Sequence, residues 1–415
     1  MRVHGRCIWE MIETLSTKSH QTSRCIPDAI NESSWADNLR HVLPAGVVFQ
    51  ANVHGTEDVE DNCAEALGLA KSQMPVQLVP LETSLEGARC LRPQSVRKSL
   101  EQLTLQRVDL TRSVLYQAGP ATSWNLDFYG HSRVGRTAFG TDRIPDGWAE
   151  RCNAMDEVWV PSDFNRQTFA TAGVQIEKLR VMHTGVDTGL FRPGLQPLDV
   201  PHACGFNFLS VTHGHQQCGT DVLLRAYLLE FKPDEDVALF LRILPARDSF
   251  TDPEAQLTFF IETELGATLE HTPTIILLDA PLSPTDRARL YTSADAFVFP
   301  SRGESWGRAC LEALASGLPV IATQWGGTSE FLRDANSFPI SVEGIVPASC
   351  DDEFVAGHRW AEPSVDDLRR QLRQVFTHCG EAQQRAAQGR RDAVKHWDWS
   401  IVIPVRAQEF RRLCD

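Results

Sequence analysis

The chain has 415 residues, 42% of them hydrophobic and 23% charged, with a formal net charge of −14. That length exceeds what one core supports, so two domains are expected, and the acidity disfavours nucleic acid and anionic membrane as partners, since both are bound through basic surface. No apolar run reaches the roughly 18 residues of a membrane span, and the amino end lacks the apolar core of a secretory signal, so the expectation is a cytoplasmic protein without a transmembrane segment.

In chain order, Val47 to Ala51 reads as a buried strand ending at a loop, and Thr56 to Lys71 as a helix whose acidic first turn suits its dipole. Val76 to Val79, Val108 to Tyr116 and Val134 to Phe139 supply further strands. Asp156 to Pro161 followed by Asp163 to Ala172 is a strand and helix, with Ser162 or Asp163 placed to cap. Pro193, Gly194, Pro197 and Pro201 then interrupt all periodicity and mark residues 193–204 as a linker. The alternation restarts with strands at Phe206 to Val211, Val237 to Ile243, Thr274 to Leu278, Ala296 to Phe299 and Pro319 to Ile321, each followed by a helical stretch. The expected fold is α/β: two Rossmann-like domains, residues 1–192 and 205–385, facing across a cleft, with closing helices over 386–415.

Eleven cysteines without C-x-x-C spacing fit reduced thiols. Cys204, Cys218, His213 and His215 lack ligand-type spacing, so neither a metal nor a cofactor is expected.

The most informative stretch runs from Ala294 to Leu332: buried strand, glycine-broken loop, helix, second buried strand, loop and helix. Open parallel sheets bind ligands at such strand ends. Glu304 in the loop and Glu312 on the helix stand eight positions apart, roughly 10 Å at helical rise. A nucleotide-activated sugar carries two hydroxyl clusters, on hexose and ribose, a comparable length apart. One carboxylate per diol, with the helix amino end facing the diphosphate between, suits that ligand. The plainer reading of the pair is an exposed loop residue and a solvated helix residue.

The run Arg302-Gly303-Glu304-Ser305-Trp306-Gly307, followed by Glu312-Ala-Leu-Ala-Ser-Gly-Leu-Pro-Val-Ile-Ala-Thr323, resembles the donor-binding segment of family 4 retaining glycosyltransferases, which are two-domain GT-B enzymes. The likeness extends to Phe206-Asn-Phe-Leu-Ser-Val211, Asp221 to Tyr227, Gly326 to Glu330, Gly357 to Pro363, Gly135 to Pro145, Met155 to Asn165 and His183-Thr-Gly-Val-Asp187, covering roughly positions 105 to 400. The resemblance implies a hexosyltransferase-type enzyme whose first domain binds the acceptor and whose second binds a nucleotide-diphosphate sugar, with the terminal helices crossing back to the first domain. It implies a metal-independent reaction that retains anomeric configuration, on an acceptor that is a glycan, lipid, protein or small molecule.

By the same resemblance, Gly303, Glu304, Ser305, Trp306, Gly307, Arg308 and Glu312 bind the donor, Gly185 reaches the cleft near the hinge, and Thr141 and Asp142 lie on the acceptor side. Glu304 and Asp142 are the candidate catalytic residues, although Asp142 is equally placed to cap the helix beginning near Asp146. His54 follows the first strand and is a further acceptor-side candidate. The family holds the leaving diphosphate with an Arg and a Lys after the first strand of the second domain; here Gln217 and Cys218 stand there, and no Lys or Arg occurs from Pro193 through Leu224. Two fixed cations beside a developing diphosphate are worth several kcal/mol, by analogy with ~3 to 4 kcal/mol for an oxyanion-hole donor. His213, His215, Arg302, Arg308 and helix amino ends are the candidate replacements. The alternative function is an impaired, glycosyltransferase-like protein that binds a nucleotide sugar or a protein partner without turnover.

Overall fold

The computed structural model describes residues 43–53, 58–81, 92–127, 130–212, 216–244, 253–268, 271–348 and 355–415. The first sheet contains β1 (Val47–Ala51), β2 (Val76–Pro80), β3 (Val114–Ala118), β4 (Ser132–Arg136), β5 (Glu157–Val160) and β6 (Leu179–Val181), in the order β2-β1-β3-β4-β5-β6. The second contains β7 (Phe206–Thr212), β8 (Val237–Ile243), β9 (Thr274–Leu278), β10 (Ala296–Phe299), β11 (Val320–Thr323) and β12 (Phe338–Ile340), in the order β12-β11-β10-β7-β8-β9. Every pairing in both sheets is parallel. A parallel sheet is covered on both faces, which is why β1, β3 and β10 are buried at every position rather than alternating. Both sheets lie within the compact unit Pro44–Asp415.

Each sheet has a point where strand order reverses, between β1 and β3 in the first and between β7 and β10 in the second. Crevices open beyond the carboxyl ends of strands at such points.

Some boundaries differ from the sequence reading. The strand expected over Val108 to Tyr116 begins only at Val114, because Asp109 accepts a hydrogen bond from the Thr111 amide and turns Leu110–Arg112 into a short 3-10 segment. The strand expected to reach Phe139 ends at Arg136. Unforeseen are the helix Gln94–Leu105 and the antiparallel hairpin of β13 (Val342–Pro347) and β14 (Arg359–Pro363). Among the described residues the cysteines form no disulfide, and no helix is long and apolar enough to cross a membrane.

The terminal helix, Trp399–Cys414, packs on the first sheet. Its Ile403, Ala407 and Phe410 recur at helical spacing and enter the first-domain core beside Phe49, Tyr116 and Trp159. Burying Ile403 and Phe410 stabilises by about 1.5 to 3 kcal/mol each. Gly68, on the helix Asp58–Lys71, makes room: a Cβ there would lie 2.7 Å from Ile403 Cγ1. The crossing is pinned at Asp398, whose carboxylate accepts bonds from the Thr188 amide (3.1 Å) and hydroxyl (2.6 Å).

Candidate functional site

The loop from Ser301 to Gly307 follows β10 and is shaped by short polar side chains. Ser301 accepts from the Gly303 amide at 3.1 Å and donates to the Gln217 carbonyl at 3.1 Å. Gln217 donates its side-chain amide to the Gly303 carbonyl at 2.6 Å, and its own carbonyl receives the Arg302 amide at 2.7 Å. Gln217 thus acts as a brace for the loop. Gly307, at φ 89°, turns the chain into the helix Arg308–Ser316, and a Cβ there would meet Thr328 at 2.5 Å. Glu304 lies in the loop and only Glu312 on the helix, so helical rise does not set their whole separation.

Both carboxylates nevertheless line one cavity of about 260 Å³, together with Val211, Cys218, Phe299, Arg242, Arg287, Arg308 and Asp61. It lies where the second sheet reverses strand order. Glu312 is not a solvated helix residue: it is 4% exposed, and its oxygens already have protein partners. Tyr291 donates to Oε2 at 2.9 Å, while Arg287 and Arg308 lie 3.2 and 3.7 Å from Oε1. Burial and the Glu312 carboxylate raise the Tyr291 phenol well above its ordinary pKa, keeping it a proton donor.

A second cavity, of about 220 Å³, opens at the carboxyl ends of the first sheet and is lined by Gly119, Pro120, Arg136, Thr137, Pro161, Met182 and Thr184. Asp61, Ser305 and Trp306 belong to the walls of both cavities. Trp306 is held rigidly, stacked on His183 with centroids 5.5 Å apart and edge-on to Phe331 and Trp397. Its buried indole Nε1 and that of Trp148 in the second cavity find no hydrogen-bond partner among the described residues.

The first domain grips the Ser301–Gly307 loop directly. Ser162 caps the helix Asp163–Thr171 through the Asn165 amide and donates its hydroxyl to the Ser305 carbonyl at 3.0 Å. Glu330 accepts from the Asp163 amide at 2.6 Å. Gly140 and Gly303 meet backbone to backbone, and a Cβ on Gly303 would lie 2.1 Å from the Gly140 carbonyl oxygen. At the far side, Asp142 Oδ1 accepts from the Arg359 amide at 2.7 Å, and Thr141 Oγ1 lies 2.7 Å from His358 Nδ1.

Several sequence expectations change accordingly. Asp142 does not cap the next helix, which begins after Gly147 with no side-chain cap; its carboxylate bridges the domains instead of facing either cavity. Thr141 is likewise spent on Arg143 and His358. Arg302 is engaged within the second domain, where Asp221 and Glu362 each hold it through two bonds of 2.7 to 2.9 Å. Gly185 serves packing, since a Cβ there would lie 2.7 Å from the Trp399 ring. His54, His213 and His215 lie outside the described residues. Sequence reasoning missed Arg287 and Glu60: Arg287 sits in the charged run Asp286-Arg287-Ala288-Arg289, which reads as a solvated face, and Glu60 reads only as part of an acidic first turn.

Residues 229–358 match the family described as Glycosyl transferases group 1. Among curated relatives, D-inositol 3-phosphate glycosyltransferase 1 of Catenulispora acidiphila is 32% identical over 191 residues, 44% of this chain and 44% of that protein. The sulfoquinovosyl transferase SQD2 of Arabidopsis thaliana is 28% identical over 269 residues, 62% of this chain and 45% of that protein. The chain thus matches less than half the length of these relatives. Among solved structures, sucrose-phosphate synthase from Thermosynechococcus elongatus superposes with a TM-score of 0.66 at 14% identity, covering 89% of this chain and 99% of that one. Anabaena HepE in complex with UDP and glucose gives 0.62 at 15% identity, covering 88% and 99%. At such identities the likeness is one of fold, two parallel-sheet domains in the GT-B arrangement. Residues 229–358 are thus similar to the group 1 glycosyl transferases, and the chain shares the two-domain fold of the superposed structures.

Proposed function

We propose that this chain transfers a sugar from a nucleotide-diphosphate sugar to an acceptor hydroxyl, with retention of anomeric configuration and without a metal ion. The observation that carries the reading is that Glu304 and Glu312 line one cavity at the second sheet's reversal point, and that this cavity shares Ser305 and Trp306 with another at the first sheet's strand ends. Donor and acceptor entering from opposite domains meet at that shared wall.

In this reading Glu312 takes the ribose hydroxyls and Glu304 those of the transferred sugar. Amides at the start of the helix Arg308–Ser316 face the phosphates, whose charge grows as the glycosidic bond breaks. The acceptor oxygen attacks from the face the diphosphate leaves, and its proton passes to the departing phosphate oxygen. The rigid Trp306 wall keeps water from competing. The indole hydrogens of Trp306 and Trp148 are donors still open to a hydroxyl. Asp142 contributes by joining the domains. The relatives are transferases by name, which favours turnover over binding alone.

Titration calorimetry with uridine, guanosine and adenosine diphosphates and their sugars is the test. Heat with one base, followed by nucleotide release when an acceptor is supplied, is expected. No binding to any member removes the donor reading, and binding without release across a broad acceptor screen leaves the non-catalytic alternative.

A further inference from the structure

The family's phosphate-binding cations are missing at Gln217 and Cys218, yet the donor cavity is walled by three arginines. Arg242 comes from β8, Arg287 from the helix Pro284–Thr292, and Arg308 opens the helix that carries Glu312. Arg242 donates to the carbonyls of Leu278 and Ala280 at 3.2 and 2.8 Å. Arg287 and Arg308 reach Glu312, but both also reach across the cleft to Glu60 on the first domain's helix Asp58–Lys71. Arg287 Nη1 lies 2.7 Å from Glu60 Oε1, its Nη2 bonds Oε2, and Arg308 Nη1 lies 3.4 Å from Oε2. The Arg287 pair is a planar fork on a carboxylate, the geometry guanidinium equally offers a phosphate.

Charge balance explains why the first domain brings Glu60 here beside Asp61, which lines the same cavity 3.9 Å from Arg308. Within the second domain, three guanidinium groups share a cavity with two carboxylates, and buried cations require compensation. The excess is felt at Arg242, whose pKa falls through burial and then through repulsion from Arg287. Glu60 answers it: burial alone would lift its carboxyl, but Arg308 and Arg287 outweigh that and draw it down to about 2. The cavity, at about 260 Å³, also falls below the roughly 300 to 1,000 Å³ of ordinary ligand sites. Glu60 already holds Arg287 and Arg308, so an anionic ligand that binds these two arginines meets it as a competitor.

We propose that Arg287 and Arg308 are the cationic seat for the donor's diphosphate in this chain, and that Glu60 occupies that seat until the diphosphate displaces it. The inference rests on the nucleotide-sugar reading and assigns its missing positive charge. Glu60 is both counter-ion and competitor, so it links donor entry to release of a contact between the domains.

The test compares the full-length protein with Arg287→Gln, Arg308→Gln, Arg308→Lys and Glu60→Gln by calorimetry, using nucleoside, nucleoside diphosphate, nucleotide sugar and inorganic pyrophosphate, with thermal midpoints confirming folding. Each Arg→Gln change should weaken diphosphate and pyrophosphate binding by about 10- to 100-fold, the worth of charge-assisted hydrogen bonds, and nucleoside binding much less; Arg308→Lys should recover part of the loss. Glu60→Gln should tighten diphosphate binding several-fold. Nucleotide-sugar affinity should stay flat from about pH 6 to 8, because arginines remain charged; a fall would assign the charge to His213 or His215. Equal loss of nucleoside and diphosphate in Arg287→Gln would show that it acts only through Glu312, and weaker binding in Glu60→Gln would show Glu60 to be a plain latch; either overturns the proposal. Pyrophosphate binding that depends on the arginines, without nucleotide binding, would uphold the seat while removing the donor reading.

Discussion

Arg406 offers the sharpest check on how the terminal helix is joined to the first domain. It is 1% exposed beside Glu65, which is 0% exposed, and its guanidinium donates to the Glu65 carboxylate. It also donates to the Tyr116 hydroxyl at 3.1 Å and to the carbonyls of Met182 and His183 at 3.0 and 2.8 Å. Arg406→Met keeps the apolar stem and removes every one of those bonds. Breaking a buried pair by removing one partner costs about 3 to 5 kcal/mol. Here the lower end applies, because Glu65 keeps Arg136 at 3.0 Å and the Tyr116 hydroxyl at 2.9 Å. The remaining cost comes from two interior carbonyls left without a donor. Urea unfolding followed by tryptophan fluorescence should show a loss of about 3 kcal/mol. The double change Arg406→Met with Glu65→Gln should cost less than the sum of the singles by about 1 to 3 kcal/mol, since the two groups share one network. A single-variant loss under about 1 kcal/mol, or strict additivity, refutes the reasoning. Met182 also lines the first-domain cavity, so the same variant should loosen that wall.

Two further predictions concern the cleft. Glu312→Gln should weaken nucleotide binding by about 10- to 100-fold, the value of hydrogen bonds to a charged acceptor, whereas Glu304→Gln should leave free-nucleotide affinity near its starting value and blunt discrimination among sugars; equal losses in both, measured by calorimetry, would contradict the separate roles. The second is a pH dependence at His358. The Thr141 hydroxyl gives its one hydrogen to the Arg143 carbonyl at 2.9 Å, so His358 Nδ1 carries a proton and donates to Oγ1. Burial, and then Arg143, lower the His358 pKa below 6.5, with Asp142 and Asp146 opposing. The unfolded chain therefore takes up the proton first. The resulting stability is present above about pH 6.5 and is lost as pH falls through the lowered folded value. His358→Gln should flatten that part of the stability profile, and an unchanged slope in the variant would exclude His358 as its source.

Much of this was legible in the sequence because parallel sheets write themselves as short, largely apolar runs. Phe206 to Val211, Val237 to Ile243, Thr274 to Leu278 and Ala296 to Phe299 have no other stable use, and the structure makes strands of all four. Short edge strands carry less signal: Leu179–Val181 and Phe338–Ile340 are three residues each and went unforeseen. Glu304 and Glu312 were legible as a pair placed after a strand end, and both line one cavity. The partners of Glu312 were not, because Tyr291 and Arg287 come from another helix, and sequence does not state which face of that helix meets the cavity. The partner of Asp142 was hidden for a related reason. The position of Asp142 at a strand end was legible, but its partner, the Arg359 amide, belongs to a hairpin 217 positions away.

The contacts between the domains converge on the segments that build the cavity lined by Glu304 and Glu312. Ser162 holds the Ser305 carbonyl, the backbone of Gly140 touches Gly303, and Glu60 binds Arg287 and Arg308. A rigid-body opening breaks these together, because the first-domain groups move with one packed sheet. Loop shape and cation charge therefore depend on the same set of interdomain contacts. The Ser162 and Gly140 contacts gain from closure whatever the cavity contains, whereas the Glu60 contact competes with an anionic ligand for its two arginines. A donor that supplies its own negative charge can replace Glu60 without disturbing the other two contacts. An uncharged sugar cannot, so the proposed seat selects first by charge rather than by shape.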